Sequence, residues 1–164
     1  MPPDLNGTSH NIRIATSHDL AAMISLVNAA FSIEKFLEGP RTDETRMGEM
    51  MKKGQMLLAE NGAGEVVGAV YVELRGERGY FGMLAVDPSR QGTGLGRLMV
   101  EAAEHHARRH GCTLMDISVL SLRPELLPFY RKLGYTESGT EEFRPSRPLK
   151  PGVQCYCFVM SKPL

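Results

Sequence analysis

Apolar positions along the chain switch between the spacing of strands and the spacing of helices, and the switches divide it into elements. NIRIAT, residues 11–16, reads as a first strand. Thr16 with Asp19 three places on has the form of a helix start, and Leu20, Met23, Ile24, Val27, Ala30 and Phe31 recur at helical spacing. A looser stretch, SIEKFLEGPR, is broken by Gly39-Pro40. Thr42 is placed to cap a second helix through Met47, Met50 and Met51 that stops at Gly54. QMLLAE, the turn NGAG and EVVGAVYVELR predict a hairpin by strand composition and turn chemistry. GERG then turns into YFGMLAV, residues 80–86, a continuous apolar run suited to a strand buried on both faces. A glycine loop leads into a helix that runs to about His110 and stops at Gly111, and CTLMDISV is another strand. Pro124 suits the first position of a helix ending at Gly134. YTESG and VQCYCFVM are the closing strands, separated by the Pro-rich loop FRPSRPLKPG.

Two helices, a meander of strands and then strand–helix–strand–helix–strand make a mixed α/β layer. Short early connections favour antiparallel pairs, whereas residues 80–119 should form a parallel unit with a right-handed crossover. Neither an internal repeat nor a linker interrupts the pattern, so one domain over residues 11–164 is expected, preceded by a flexible tail at 1–10. Composition narrows the function classes. Lys+Arg and Asp+Glu both number 19, which argues against a general nucleic-acid binder or a basic membrane-surface protein. Cys112, Cys155 and Cys157 are few and odd in number, and read as reduced interior thiols. MPPDLNGTSH lacks the basic start and apolar core of a signal peptide, and no apolar run is long enough to span a bilayer. A cytoplasmic protein is expected. The pairs Cys155/Cys157 and His106/His110 do not supply four ligands at zinc spacing, so no metal is expected.

The candidate chemistry lies in VDPSRQGTGLGRLM. At a helix start the first N–H groups have no internal partners and the helix dipole is positive. Glycines at 92, 94 and 96 remove the side chains that would hold an anion at a distance, and they allow positive φ angles in the turn. Arg90, Gln91 and Arg97 can add donors at the rim. Such a nest suits a phosphate group. A dinucleotide fingerprint fails in both registers, since Arg97 or Met99 stands where its third glycine belongs. A Walker loop fails for want of Gly-Lys-Ser/Thr. What remains is Gln91-x-x-Gly94-x-Gly96.

That pattern, preceded by Leu84-x-Val86-x-Pro88 and followed by Phe129-Tyr130-x-x-x-Gly134-Tyr135, resembles the GCN5-related N-acetyltransferase (GNAT) superfamily, over residues 12–162. The resemblance implies a mixed, mostly antiparallel α/β sheet of six to seven strands with a central parallel pair, flanked by about four helices. It implies acetyl-CoA as acetyl donor, with its pyrophosphate on the amides of Gln91, Gly92, Thr93, Gly94, Leu95, Gly96 and Arg97. The pantetheine arm would pair with the backbone of Leu84, Ala85 and Val86, as an added strand does. Arg123 stands where the family commonly has an asparagine that contacts the cofactor arm. Tyr130 is implied as the acid for the departing thiolate, and a backbone N–H near Leu84 or Val86 as the oxyanion donor. The matching position for a strand-borne base is near Tyr80, and Glu73 on the preceding strand can reach the slot through water. Phe31, Phe36, Arg41, Arg144 and Arg147 are candidates for the acceptor pocket. The activity implied is transfer of an acetyl group to a primary amine of a small or amino-acid-like molecule, by a monomer or homodimer. An acyl-CoA-binding sensor without turnover and a protein N-acetyltransferase are the alternatives.

Overall fold

The computed structural model describes residues 10–145 and 147–164; the expected tail lies, except for His10, outside the described residues. Strand β1 (Asn11–Ile14) leads through a single 3-10 turn at Ser17–Asp19 into α1 (Leu20–Ala30). The expected Thr16/Asp19 signature is realised there as a capping box, and Asp19 also pairs with Arg13 of β1 at 2.7 Å. Helix α2 (Glu44–Lys53) is capped by Asp43, whose carboxylate accepts from the Arg46 N–H. The expected cap, Thr42, is instead buried, and its main chain pairs with the Asn28 side-chain amide in both directions. Aspartate one residue on satisfies the helix start, which frees Thr42 to fasten the loop to α1.

The hairpin β2 (Gln55–Glu60) and β3 (Val66–Arg75) follows, and a two-residue turn at Gly76 and Glu77 starts β4 at Arg78, two residues before the apolar run (Arg78–Val86). After the glycine loop come α3 (Leu95–Arg109), β5 (Leu114–Leu120), α4 (Leu126–Lys132), β6 (Thr136–Glu142) and β7 (Tyr156–Pro163). Helix α4 starts two residues beyond Pro124, because residues 123–125 form turns closed by Leu126 N–H to Arg123 O and Leu127 N–H to Pro124 O. Strand β7 begins at Tyr156, so Cys155 lies outside the strand it was expected to share with Cys157. At Gly134, φ is +100°, and the Tyr135 N–H closes back on the Tyr130 carbonyl to end the helix.

The seven strands form one sheet in the order β1-β2-β3-β4-β5-β7-β6. Only β4 and β5 run parallel; the other neighbours are antiparallel. Helices α1 and α2 cover one face through Met23, Val27 and Met47. Helices α3 and α4 cover the other through Leu95, Met99, Ala103 and Leu127. Under α3, Glu104 is 3% exposed, accepts from the Tyr135 hydroxyl at 2.7 Å and pairs with Lys162 at 3.0 Å. This buried group ties α3 to β7 and to Tyr135, just beyond the end of α4.

Two irregularities open the middle of the sheet. The parallel ladder joins only Arg78–Leu114, Gly79–Met115 and Tyr80–Asp116, after which β5 continues against β7 alone. In β4 the register against β3 shifts by one residue between Ala85 and Gly82, where Met83 has φ +50°. Tyr80, Met83 and Ala85 face the α1–α2 layer, whereas Phe81, Leu84 and Val86 face the α3–α4 layer. The odd step from Tyr80 to Met83 is the mark of one inserted residue, a β-bulge that bends the strand away from its neighbour.

Candidate active site

Because β4 and β5 part after Tyr80, the β4 main chain from Phe81 to Val86 has no ladder partner on the β5 side. A cleft of about 1050 Å³ occupies the gap; Gly82, Leu84 and Val86 line one wall, and Ile117 and Val119 the other. An extended amide chain laid there can complete the missing ladder.

The glycine loop lies where β4 ends. Asp87 accepts from the Ser89 N–H to form a short 3-10 turn, and Gly92 and Gly94 take φ of +80° and +87° before α3 begins. The first helical bond in this region runs from the Leu98 N–H to the Gly94 carbonyl. Among the described residues, no acceptor is bonded to the main-chain N–H groups of Gln91 through Arg97. A Cβ at Gly92 or Gly94 would meet nothing within 4 Å, so protein packing does not demand glycine there. Open amides at the positive end of a 15-residue helix are suited to a diphosphate. Of the rim side chains, Gln91 lines the cleft, whereas Arg97 leans outward onto Glu101 at 3.0 Å.

Tyr130 projects from α4 into the cleft between the rings of Phe129 and Phe81, at centroid distances of 5.0 and 6.1 Å. Its hydroxyl makes no hydrogen bond to another described residue. Burial pushes the phenol up to about 12, against the opposing charge of Arg123. It is therefore protonated at any ordinary pH and has a free donor. Tyr135 of the same motif is different, since its hydroxyl is bound to Glu104 in the core.

The two base candidates lie on the α1–α2 side and are cross-strand partners. Glu73 is not part of the cleft wall. It accepts from the Tyr71 hydroxyl at 2.7 Å and from Arg75 at 2.9 Å, and these bonds, Arg75's first, hold its carboxyl below the usual range. Tyr71 does line the cleft and connects Glu73 to it. Sequence reasoning missed Tyr71. The period-two spacing of Tyr71, Glu73 and Arg75 on one strand face was the available signal. Tyr80 lines the cleft beneath the Arg75 guanidinium, 4.5 Å from its ring centroid, and its phenol is raised by burial. Gly82 makes room for it, because a Cβ there would come within 2.7 Å of the Tyr80 oxygen.

Arg123 also lines the cleft, but its guanidinium is held by Glu34 and Glu125, both at 2.6 Å. Phe31, Arg41 and Arg144 line the same cleft. Phe36 and Arg147 do not, and instead stitch two loops together. The Lys150 N–H donates to Phe36 O, Arg147 donates to Gly39 O, and Leu37 bridges Leu149. Among the described residues no group of three His, Cys, Asp or Glu is placed to hold a metal ion, and no helix is long and apolar enough to cross a membrane.

The sheet is thus prised open at mid-strand, with a proton-bearing phenol at the opening and bare amides beyond it. The description acetyltransferase (GNAT) domain matches residues 24–146, and the chain belongs to that family. It is similar to mycothiol acetyltransferase of Propionibacterium freudenreichii subsp. shermanii, with 26% identity over 141 residues that cover 80% of this chain. The chain spans about 45% of that relative's length. Among solved structures it is similar to the ribosomal-protein-S18-alanine N-acetyltransferase of Escherichia coli, with TM-score 0.78, 17% identity and 94% of each chain covered. It is also similar to yncA of Salmonella typhimurium, solved with its cofactor acetyl-CoA, with TM-score 0.72 and 21% identity, covering 95% of this chain and 94% of that one.

Proposed function

We propose that this chain is an acetyl-CoA-dependent N-acetyltransferase that passes the acetyl group directly to a primary amine of a small or amino-acid-like molecule, in the cytoplasm. One observation carries the reading: the unpaired β4 edge, the free Tyr130 hydroxyl and Gln91, which heads the open amides of residues 91–97, border one cleft. Acetyl-CoA supplies an activated thioester. The amides of Gln91 to Arg97 would hold its diphosphate, and the main chain of Leu84 to Val86 its amide arm. An edge N–H near Leu84 or Val86 then faces the thioester oxygen and stabilises the charge that gathers there. The amine nitrogen bonds to the acyl carbon as the carbon–sulfur bond breaks. Tyr130 gives its proton to the leaving sulfur and regains one from solvent, so an amide and a free thiol result. The amine passes its proton to the Tyr71 oxygen as Tyr71 passes its own to ionised Glu73, which then releases it to solvent.

The test is thiol release from acetyl-CoA across amino acids, polyamines, aminoglycosides and peptides, after a thermal-shift titration with CoA. Release with a small amine supports the proposal. Stabilisation by CoA without release from any amine would instead support an acyl-CoA sensor.

A further inference from the structure

One cation in the cleft, Arg41, has no carboxylate within ion-pair distance among the described residues. Arg41 lines the wall with its guanidinium 4.9 Å from the Phe31 ring centroid, which limits its swing. Its Nε is enclosed and has no hydrogen-bond partner. The carboxylates that share the cleft have other partners, although one oxygen of Glu34, Oε1, is enclosed without one. Glu34 pairs with Arg123, Glu49 with Lys52 and Glu142 with Arg144, while Glu141 accepts from Ser118. Arg147 is held by the Gly39 carbonyl, and Arg46 has Asp43 at 3.9 Å. Burial disfavours the charge on Arg147 most, Arg41 and Arg46 oppose it further, and Glu34 partly offsets them.

Enclosed donors without acceptors are costly, and clustered guanidiniums repel. An oxyanion relieves both. A second ammonium, as on a polyamine or an aminoglycoside, would add to the repulsion. We propose that the acceptor is an amine that carries a carboxylate, and that Arg41 receives this carboxylate and thereby aims the amine at the parted strands. A guanidinium suits the role because its planar fork can grip both carboxylate oxygens. The inference rests on acetyl transfer as the activity, and names its substrate class.

The experiment compares L-amino acids with their α-carboxamides, which keep the amine and most of the shape but remove the charge. With the wild-type chain, kcat/KM for the best acid should exceed that for its amide by about tenfold to a hundredfold, mostly through KM. Arg41→Gln should bring this ratio towards one, and Arg41→Lys should leave it in between. A CoA thermal shift on each variant shows that the fold is retained. The corresponding N-acetyl amino acids and their amides are also titrated calorimetrically into CoA-saturated protein, which reads the preference without turnover. Equal handling of acid and amide by the wild type, or an undiminished preference in Arg41→Gln, overturns the role of Arg41. A preference for the acids in calorimetry with no thiol release from any amine would overturn the acetyl transfer while the carboxylate site stands.

Discussion

At the scale of single residues, Tyr130 and Tyr135 show how one motif divides its work. Both are buried tyrosines five residues apart, yet one hydroxyl faces the cleft and the other is locked onto Glu104. Tyr130→Phe should reduce turnover about a hundredfold with CoA affinity nearly unchanged, as read by steady-state kinetics beside a CoA titration. The pH profile carries the same signature. A phenol raised to about 12 keeps its proton below that value, so kcat/KM should climb as the acceptor ammonium deprotonates. No falling limb from Tyr130 should appear up to about pH 10. A fall centred below pH 9 would remove Tyr130 as the acid. Tyr135→Phe should behave in the opposite way, costing about 1–3 kcal/mol in chemical denaturation because Glu104 loses a donor in the core, with little effect on CoA binding. Residue types and motif spacing made Tyr130 legible in the sequence. They did not single out Tyr71: its period-two spacing with Glu73 was visible, but its place at the cleft depends on which face of β3 packs under α1. Nor could they distinguish Thr42 from Asp43 as a cap, because the Asn28 side chain that claims Thr42 lies on another helix.

At the scale of elements, the start of α3 is built for something outside the protein. Gly96 is helical, and the nearest groups to a Cβ there are Phe129 at 3.7 Å and Val86 at 3.9 Å, ordinary contacts. Alanine is the better helix former, so Gly96→Ala should leave the free protein as stable or raise it by up to ~1 kcal/mol. The same methyl group stands at the open amides, so affinity for CoA should fall about tenfold or more, measured by calorimetry. Gly94→Ala should weaken CoA binding and also destabilise the fold by about 1–2 kcal/mol, because φ of +87° strains any residue with a Cβ. If both variants bound CoA like the wild type, the loop would be a turn and nothing more. Hydrophobic periodicity and turn residues made most elements legible, from the capping box at Thr16 to the stop at Gly134. Boundaries slipped where tertiary hydrogen bonds decided them. Helix α4 gave up two residues to turns, and β4 began two residues before its apolar run because Arg78 and Gly79 already pair with β3 on one side and β5 on the other.

At the scale of the molecule, the sheet is nearly two sheets. Strands β1 to β4 and β5 to β7 are joined in the ladder by only three residue pairs, from Arg78–Leu114 to Tyr80–Asp116. The sequence indicated a parallel pair at this place, but the depth of the split depends on the bulge at Met83, which nothing in YFGMLAV announces. A ligand that supplies the missing edge should therefore act as a structural seam as well as a substrate. At a hundredfold excess over its Kd, CoA should stabilise the fold by about 2.7 kcal/mol. For a chain of this size that corresponds to a rise in Tm of roughly 5–10 °C. Hydrogen exchange should localise the effect, slowing the amides of Leu84 and Val86 and of Gly92 to Arg97 most, because these backbone donors have no protein partner. Amides in β1 and β6, at the two outer edges, should gain only what global stabilisation gives. Uniform protection across the sheet, or none at residues 84, 86 and 92–97 despite a rise in Tm, would mean that CoA binds elsewhere and that the parted strands serve another ligand.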